Sequence, residues 1–125
     1  MNILVVTLIS ILSLFSYTDN SEMDKIIFQA LKNGDAKILS SYFTSSIKLS
    51  IHNEDQIATK FQAEFIVLDY FKNNKLVEIK KAAQQKDSQI NCLIYDVKTD
   101  KKQVRVFMKI VALKDKDHIS EFRVE

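Results

Sequence analysis

Apolar and polar positions alternate with a period of two through the last third of the chain, in runs broken only by short Lys/Asp stretches. The runs are Ile90 to Val97, Val104 to Leu113 and Ile119 to Val124. Period-two alternation bounded by turn residues is the signature of strands, and three such runs in succession predict an antiparallel meander. The middle run sorts its side chains onto two faces. Val104, Val106, Met108, Ile110 and Ala112 make one face wholly apolar, whereas Arg105, Phe107, Lys109, Val111 and Leu113 make the other mixed. The dry face is expected to be closed by helices and the half-dry face to meet a second subunit.

Upstream the period changes to that of a helix. Ser21-Glu22-Met23-Asp24 reads as a helix start with acids in the first turn. Met23, Ile26, Ile27, Ala30 and Leu31 then form one apolar stripe. Asn33-Gly34 ends this helix over 22–32, with Gly34 at the left-handed position after the last turn, and Asp35 caps a second helix over 36–43. Ile38, Leu39, Tyr42 and Phe43 are its expected inner face. Ile47, Leu49 and Ile51 alternate with polar residues and predict a strand, followed by a loop at Asn53-Glu54-Asp55. Thr59 and Gln62 have capping-box spacing. The helix after them, 60–72, carries Phe61, Phe65, Ile66, Leu68, Tyr70 and Phe71, apolar around most of its circumference and so expected to be buried on more than one side. Asn73-Asn74 stops it. Leu76, Val77 and Ile79 open a further run whose tail, Lys80 to Gln85, is compatible with strand or helix; strand is preferred because a meander follows, after a turn at Lys86-Asp87-Ser88. The order helix, helix, strand, helix, four strands is an α+β pattern.

The first residues stand apart. Ile3 to Tyr17 is almost wholly apolar, with no charge before Asp19. The run is short for a membrane span, which takes about 20 residues, and has the length of the apolar region of a signal peptide. The expected organisation is a signal peptide over 1–17 and one α+β domain over 22–125, exported to the periplasm or secreted. A buried N-terminal helix or strand is the competing reading.

Composition narrows the function classes. The 125 residues carry 18 basic and 16 acidic side chains, intermixed, with none of the basic faces that mark nucleic-acid binding. The single glycine and the absence of proline leave no glycine-rich phosphate loop. One cysteine, Cys92, precludes an intramolecular disulfide and reads as a buried core thiol. His52 and His118 lie far apart, and neither a metal site nor a cofactor is expected.

Several short pieces together carry a resemblance. They are Ala30-Leu31-Lys32-Asn33-Gly34-Asp35-Ala36, Leu39-Ser40-Ser41-Tyr42-Phe43, Gln62-Ala63-Glu64, Tyr70-Phe71, Thr99, Arg105-Val106 and Phe122-Arg123-Val124-Glu125. In order and spacing the chain resembles the domain of unknown function 4783 family, small exported proteins of Bacteroidetes, over about residues 23–125. The resemblance implies a nuclear-transport-factor-2-like, cystatin-like fold: a cone in which a curved, mainly antiparallel sheet packs on three helices. Near Ala82 the chain lacks the His and Gly of the family pattern, so no role tied to that His is carried over. The family itself implies no activity.

Candidate chemistry is sparse. Asp69 interrupts the most apolar helix. It either joins Gln62 in an outward polar stripe or points into the mouth of the cone, where an apolar setting would raise its pKa and fit it for general acid-base work. Tyr42, Tyr70 and Tyr95 either line a pocket with hydroxyls or finish the core. The leading expectation is a non-enzymatic binding domain. Its partners would be a small apolar or amphipathic ligand, an envelope protein, or a second copy through the face of Arg105, Phe107, Lys109 and Val111. The alternative is a small-molecule isomerase or hydrolase with Asp69 as base.

Overall fold

The structure, a computed structural model, describes residues 21–86 and 90–125. The expected signal peptide and most of the Lys86-Asp87-Ser88 turn lie outside the described residues. Helix α1 spans Ser21–Lys32 and α2 spans Ala36–Ser41. Strands β1 (Phe43–Ile51) and β2 (Glu54–Thr59) follow, then α3 (Lys60–Asn73), β3 (Leu76–Lys86), β4 (Asn91–Thr99), β5 (Gln103–Leu113) and β6 (Lys116–Val124). The strands form one curved sheet in the order β2-β1-β6-β5-β4-β3. The meander β3 to β6 is antiparallel throughout, as its alternation predicts. β1 joins it parallel to β6, which places the strand between the helices at the far end of the meander.

The connections explain how a chain with one glycine folds this tightly. Gly34, at φ +63°, lets Asp35 N–H reach the Ala30 carbonyl (2.7 Å) and its own N–H reach Leu31 (3.1 Å), a Schellman ending for α1. The Asp35 carboxylate then accepts from Ile38 N–H at 3.1 Å, starting α2 at once. The turn His52-Asn53 (φ 48° and 71°) and the turn Lys114-Asp115 (φ 51° and 63°) put non-glycine residues in the left-handed region that two-residue hairpins require. The β4–β5 turn is held instead by buried Thr99, whose Oγ1 donates to the Lys102 carbonyl (2.9 Å) and accepts from Lys102 N–H (3.1 Å).

Inward-facing side chains of the sheet make the core: Leu93, Tyr95 and Val97, then Val106 and Met108, then Ile119, Phe122 and Val124, all buried. Ile27, Leu31, Leu39, Val67 and Phe71 close it from the helices. Ala112 does not share the dry face's burial: it lies exposed where β5 runs out towards its turn. Phe43 belongs to β1, because α2 stops at Ser41. The segment read as a loop after Asn53 is an edge strand, since its backbone pairs with β1 although most of its side chains are exposed. The capping box at Thr59 and Gln62 is present. The expectation that α3 is buried on more than one side is corrected. Ala63, Val67, Tyr70 and Phe71 face the sheet, but Phe61, Phe65 and Leu68 are 72%, 59% and 46% exposed, because neither sheet nor helices reach that side.

Candidate functional site

β4 presents Asn91, Leu93, Tyr95, Val97 and Thr99 on the inner face of the sheet, two residues apart. α1 crosses above. Asp24 and Phe28, one turn apart on that helix, face the same neighbour, and the Phe28 ring lies against the Tyr95 ring with centroids 6.2 Å apart. From the other side comes β3. Its register shifts between Lys81 and Ala83, so Ala82 is a bulge, and Lys81 pairs with Tyr95 across the ladder. Bulges turn a strand locally and re-aim the side chains around them. The Lys81 ammonium reaches Asp24 Oδ2 at 3.0 Å and Gln84 Oε1 at 2.7 Å. Together Asp24, Lys25, Phe28, Gln29, Lys81 and Tyr95 line a hollow of about 220 Å³.

Tyr95 is the unusual member. The residue is fully buried, and its hydroxyl has no hydrogen-bond partner among the described residues. Buried hydroxyls are almost always partnered, because an unmet one keeps its full desolvation cost. Burial first, and the nearby Asp24 carboxylate second, push the phenol up to about 12 from its ordinary 10.0, so it stays protonated as a donor at neutral pH.

The other candidates are not brought to this place. Tyr42 lines a separate hollow of about 400 Å³ with Met23, Ile26 and His118. Tyr70 lies under the β1–β2 turn, where its hydroxyl and His52 Nε2 are 3.2 Å apart and burial raises its pKa. Asp69 is exposed on α3 and lines none of the hollows described. The anticipated pocket of Tyr42, Asp69, Tyr70 and Tyr95 is thus divided among four places. Another hollow, about 490 Å³ at the start of α3, holds Ser40, but that hydroxyl is already partnered by Glu64 at 3.1 Å. Among the described residues no group of three or more His, Cys, Asp or Glu side chains is placed to hold a metal. Sequence reasoning missed Asp24, Phe28 and Lys81. Asp24 and Phe28 carry a usable signal in their four-residue spacing; Lys81 reads as one more rim lysine until the bulge turns it inward.

On the outer face, the ladder sets Phe107 between Ile94 and Arg123. Arg123 lies over the Phe107 ring, 5.7 Å from its centroid, and is itself held by Glu121 (2.6 Å) and Glu125 (3.5 Å). Arg105 pairs with Asp96 at 3.1 Å. Lys109 is exposed opposite Glu121, and Val111 is half-buried opposite His118.

A curved sheet packed on three helices is the architecture of nuclear-transport-factor-2-like and cystatin-like proteins. A nuclear-transport-factor-2-like protein of unknown function from Silicibacter pomeroyi superposes with a TM-score of 0.64 at 10% identity, over 90% of this chain and 97% of that one. Nearer in sequence are two DUF4783 family proteins of known structure. That from Bacteroides uniformis has a TM-score of 0.76 at 24% identity, covering 81% of this chain and 94% of the other; that from Bacteroides ovatus has 0.76 at 20%, covering 79% and 90%. Residues 24–125 match the sequence model of the domain of unknown function DUF4783, and the chain belongs to that family. No curated protein matches it. Most of the short pieces that carry the likeness fall on the Gly34 turn, the Thr99 turn, the cap and the core. They fix the fold and name no reaction.

Proposed function

We propose that this chain is an exported, non-enzymatic domain that binds a small amphipathic molecule in the hollow at Tyr95. The observation that carries the reading is the Tyr95 hydroxyl: fully buried and unpartnered among the described residues, on a residue that lines a hollow together with an aromatic wall at Phe28 and a cation at Lys81. An apolar cavity with a few convergent polar groups is the usual form of a ligand site. At about 220 Å³ it falls below the roughly 300 Å³ at which drug-sized pockets begin, so a small ligand is implied. Export is supported by the apolar run from Ile3 to Tyr17, and among the described residues no helix is long and apolar enough to cross a membrane. The enzymatic alternative required Asp69 in a pocket, and the exposed position of that residue removes its premise. The test is a thermal-shift screen of small organic compounds against the protein and its Tyr95→Phe variant, since a ligand that binds only the native state raises the melting temperature. Compounds that stabilise the wild type and lose that effect in the variant support the reading. A screen in which every stabiliser acts equally on both proteins overturns it.

A second reading concerns the outer face. The half-buried Phe107, paired across the ladder with Ile94, on the same face as Val111 and framed by ion pairs within the chain, favours homodimerisation through the sheet.

A further inference from the structure

We infer that the hollow at Tyr95 takes a small monocarboxylate with a short apolar body, its carboxylate lying between the Tyr95 hydroxyl and the Lys81 ammonium; this rests on the binding reading above. A protonated phenol, the state in which burial holds Tyr95 at neutral pH, has one O–H to donate, so the missing partner is an acceptor. An ammonium has three donors. Lys81 directs one to Asp24 and one to Gln84, which leaves a third. Tyr95 and Lys81 line the same small hollow, one donor from each matches the two oxygens of a carboxylate, and bonds to a charged acceptor are about twice as strong as neutral ones.

Charge points the same way. The titratable groups lining the hollow are Asp24, Lys25, Lys81 and Tyr95. Asp24 is already paired with Lys81, so Lys25 leaves the rim with one uncompensated cation. A cationic ligand would meet that surplus, and a neutral one would leave it unused. The Phe28 ring, stacked at a tilt on Tyr95, supplies the apolar wall for the body. Asp24 limits the ligand to one negative charge, since a second would lie against its carboxylate. Lys81 also has a plainer role, because an inward-pointing charge on the edge strand β3 discourages sheet-to-sheet pairing. That role requires no particular partner for Tyr95.

Three isosteric probes decide the matter: cyclohexanecarboxylate, cyclohexylmethanol and cyclohexylmethylamine, each titrated into the purified protein at pH 7 and followed by amide chemical shifts. The expected result is saturable binding of the carboxylate, roughly tenfold tighter than the alcohol, as one charge-assisted hydrogen bond provides. The shifts should centre on Asp24, Phe28, Lys81 and Tyr95. Tyr95→Phe and Lys81→Met should each weaken the carboxylate by about tenfold, while circular dichroism shows both variants folded. If the alcohol or the amine binds this hollow as tightly as the carboxylate, in a Tyr95-dependent manner, the carboxylate assignment is overturned and the binding reading stands. If all three probes fail to perturb these residues, both fall.

Discussion

At the scale of single residues, Tyr95 sets stability and recognition against each other. A buried hydroxyl without a partner costs the fold about 1–3 kcal/mol, and Phe fills the same space without it. Tyr95→Phe is therefore expected to stabilise the ligand-free protein by about 1 kcal/mol, measured by urea denaturation at pH 7, while weakening ligand binding. A tyrosine that is purely structural and hydrogen-bonded would give the opposite sign. The pH dependence separates the two proteins further. The folded phenol is pushed up to about 12 against an ordinary 10.0, so below pH 10 both folded and unfolded chains keep the proton and the phenol contributes no slope. Between pH 10 and 12 the unfolded chain ionises first. Stability of the wild type should fall there by roughly 2–3 kcal/mol relative to Tyr95→Phe; equal slopes for both proteins would show that the phenol is not buried in solution. The sequence makes Tyr95 visible as a candidate hydroxyl beside Tyr42 and Tyr70, but not as the one left unmet. That distinction depends on Asp24 and Lys81, 57 residues apart, and on a bulge that no local pattern announces.

At the scale of elements, what the sequence reveals depends on whether burial or backbone pairing makes the element. The meander, the Gly34 turn and the Thr59 cap are legible because alternation, a residue without Cβ and a capping box are local signals. Strand β2 is not, because an edge strand of Glu54, Asp55, Gln56 and the exposed Ile57 is made by hydrogen bonds to β1 and buries only Ala58. Helix α3 fails in the other direction. Its aromatic content reads as burial on all sides, yet Phe61 and Phe65 stack on each other in solvent, with ring centroids 5.9 Å apart. The two sides of this helix should therefore respond differently to truncation. Val67→Ala, on the buried side, is expected to cost about 1–2 kcal/mol through lost packing and the cavity left behind. The double variant Phe61→Ser, Phe65→Ser should change stability by no more than about 0.5 kcal/mol per site, the range of surface substitutions. Denaturant midpoints measure both, and a double variant that unfolds as readily as a core mutant would mean that the outer side of α3 is covered in solution.

At the scale of the whole molecule, the sheet divides the protein into a closed interior and an open outer surface, and the two are built on different terms. The inner side is held by burial of Val104, Val106 and Met108. The outer side pairs its own charges, Arg105 with Asp96 and Arg123 with Glu121 and Glu125, around a half-buried Phe107. Charges already paired within one chain gain little from facing a second, so association through this face would rest on apolar contact at Ile94, Phe107 and Val111. That makes it separable from electrostatic association. In multi-angle light scattering the wild type is expected to run at twice the chain mass and to stay there as salt rises, because screening weakens attraction between exposed charges and leaves apolar contact in place. Phe107→Asp, which sets an unpaired carboxylate at the centre of the proposed contact, should run as a monomer with unchanged circular dichroism, since the side chain supports no part of the core. A wild-type protein already monomeric removes the outer face as a self-association surface. A dimer that dissociates as salt rises would transfer the contact from Phe107 to the exposed charges around it.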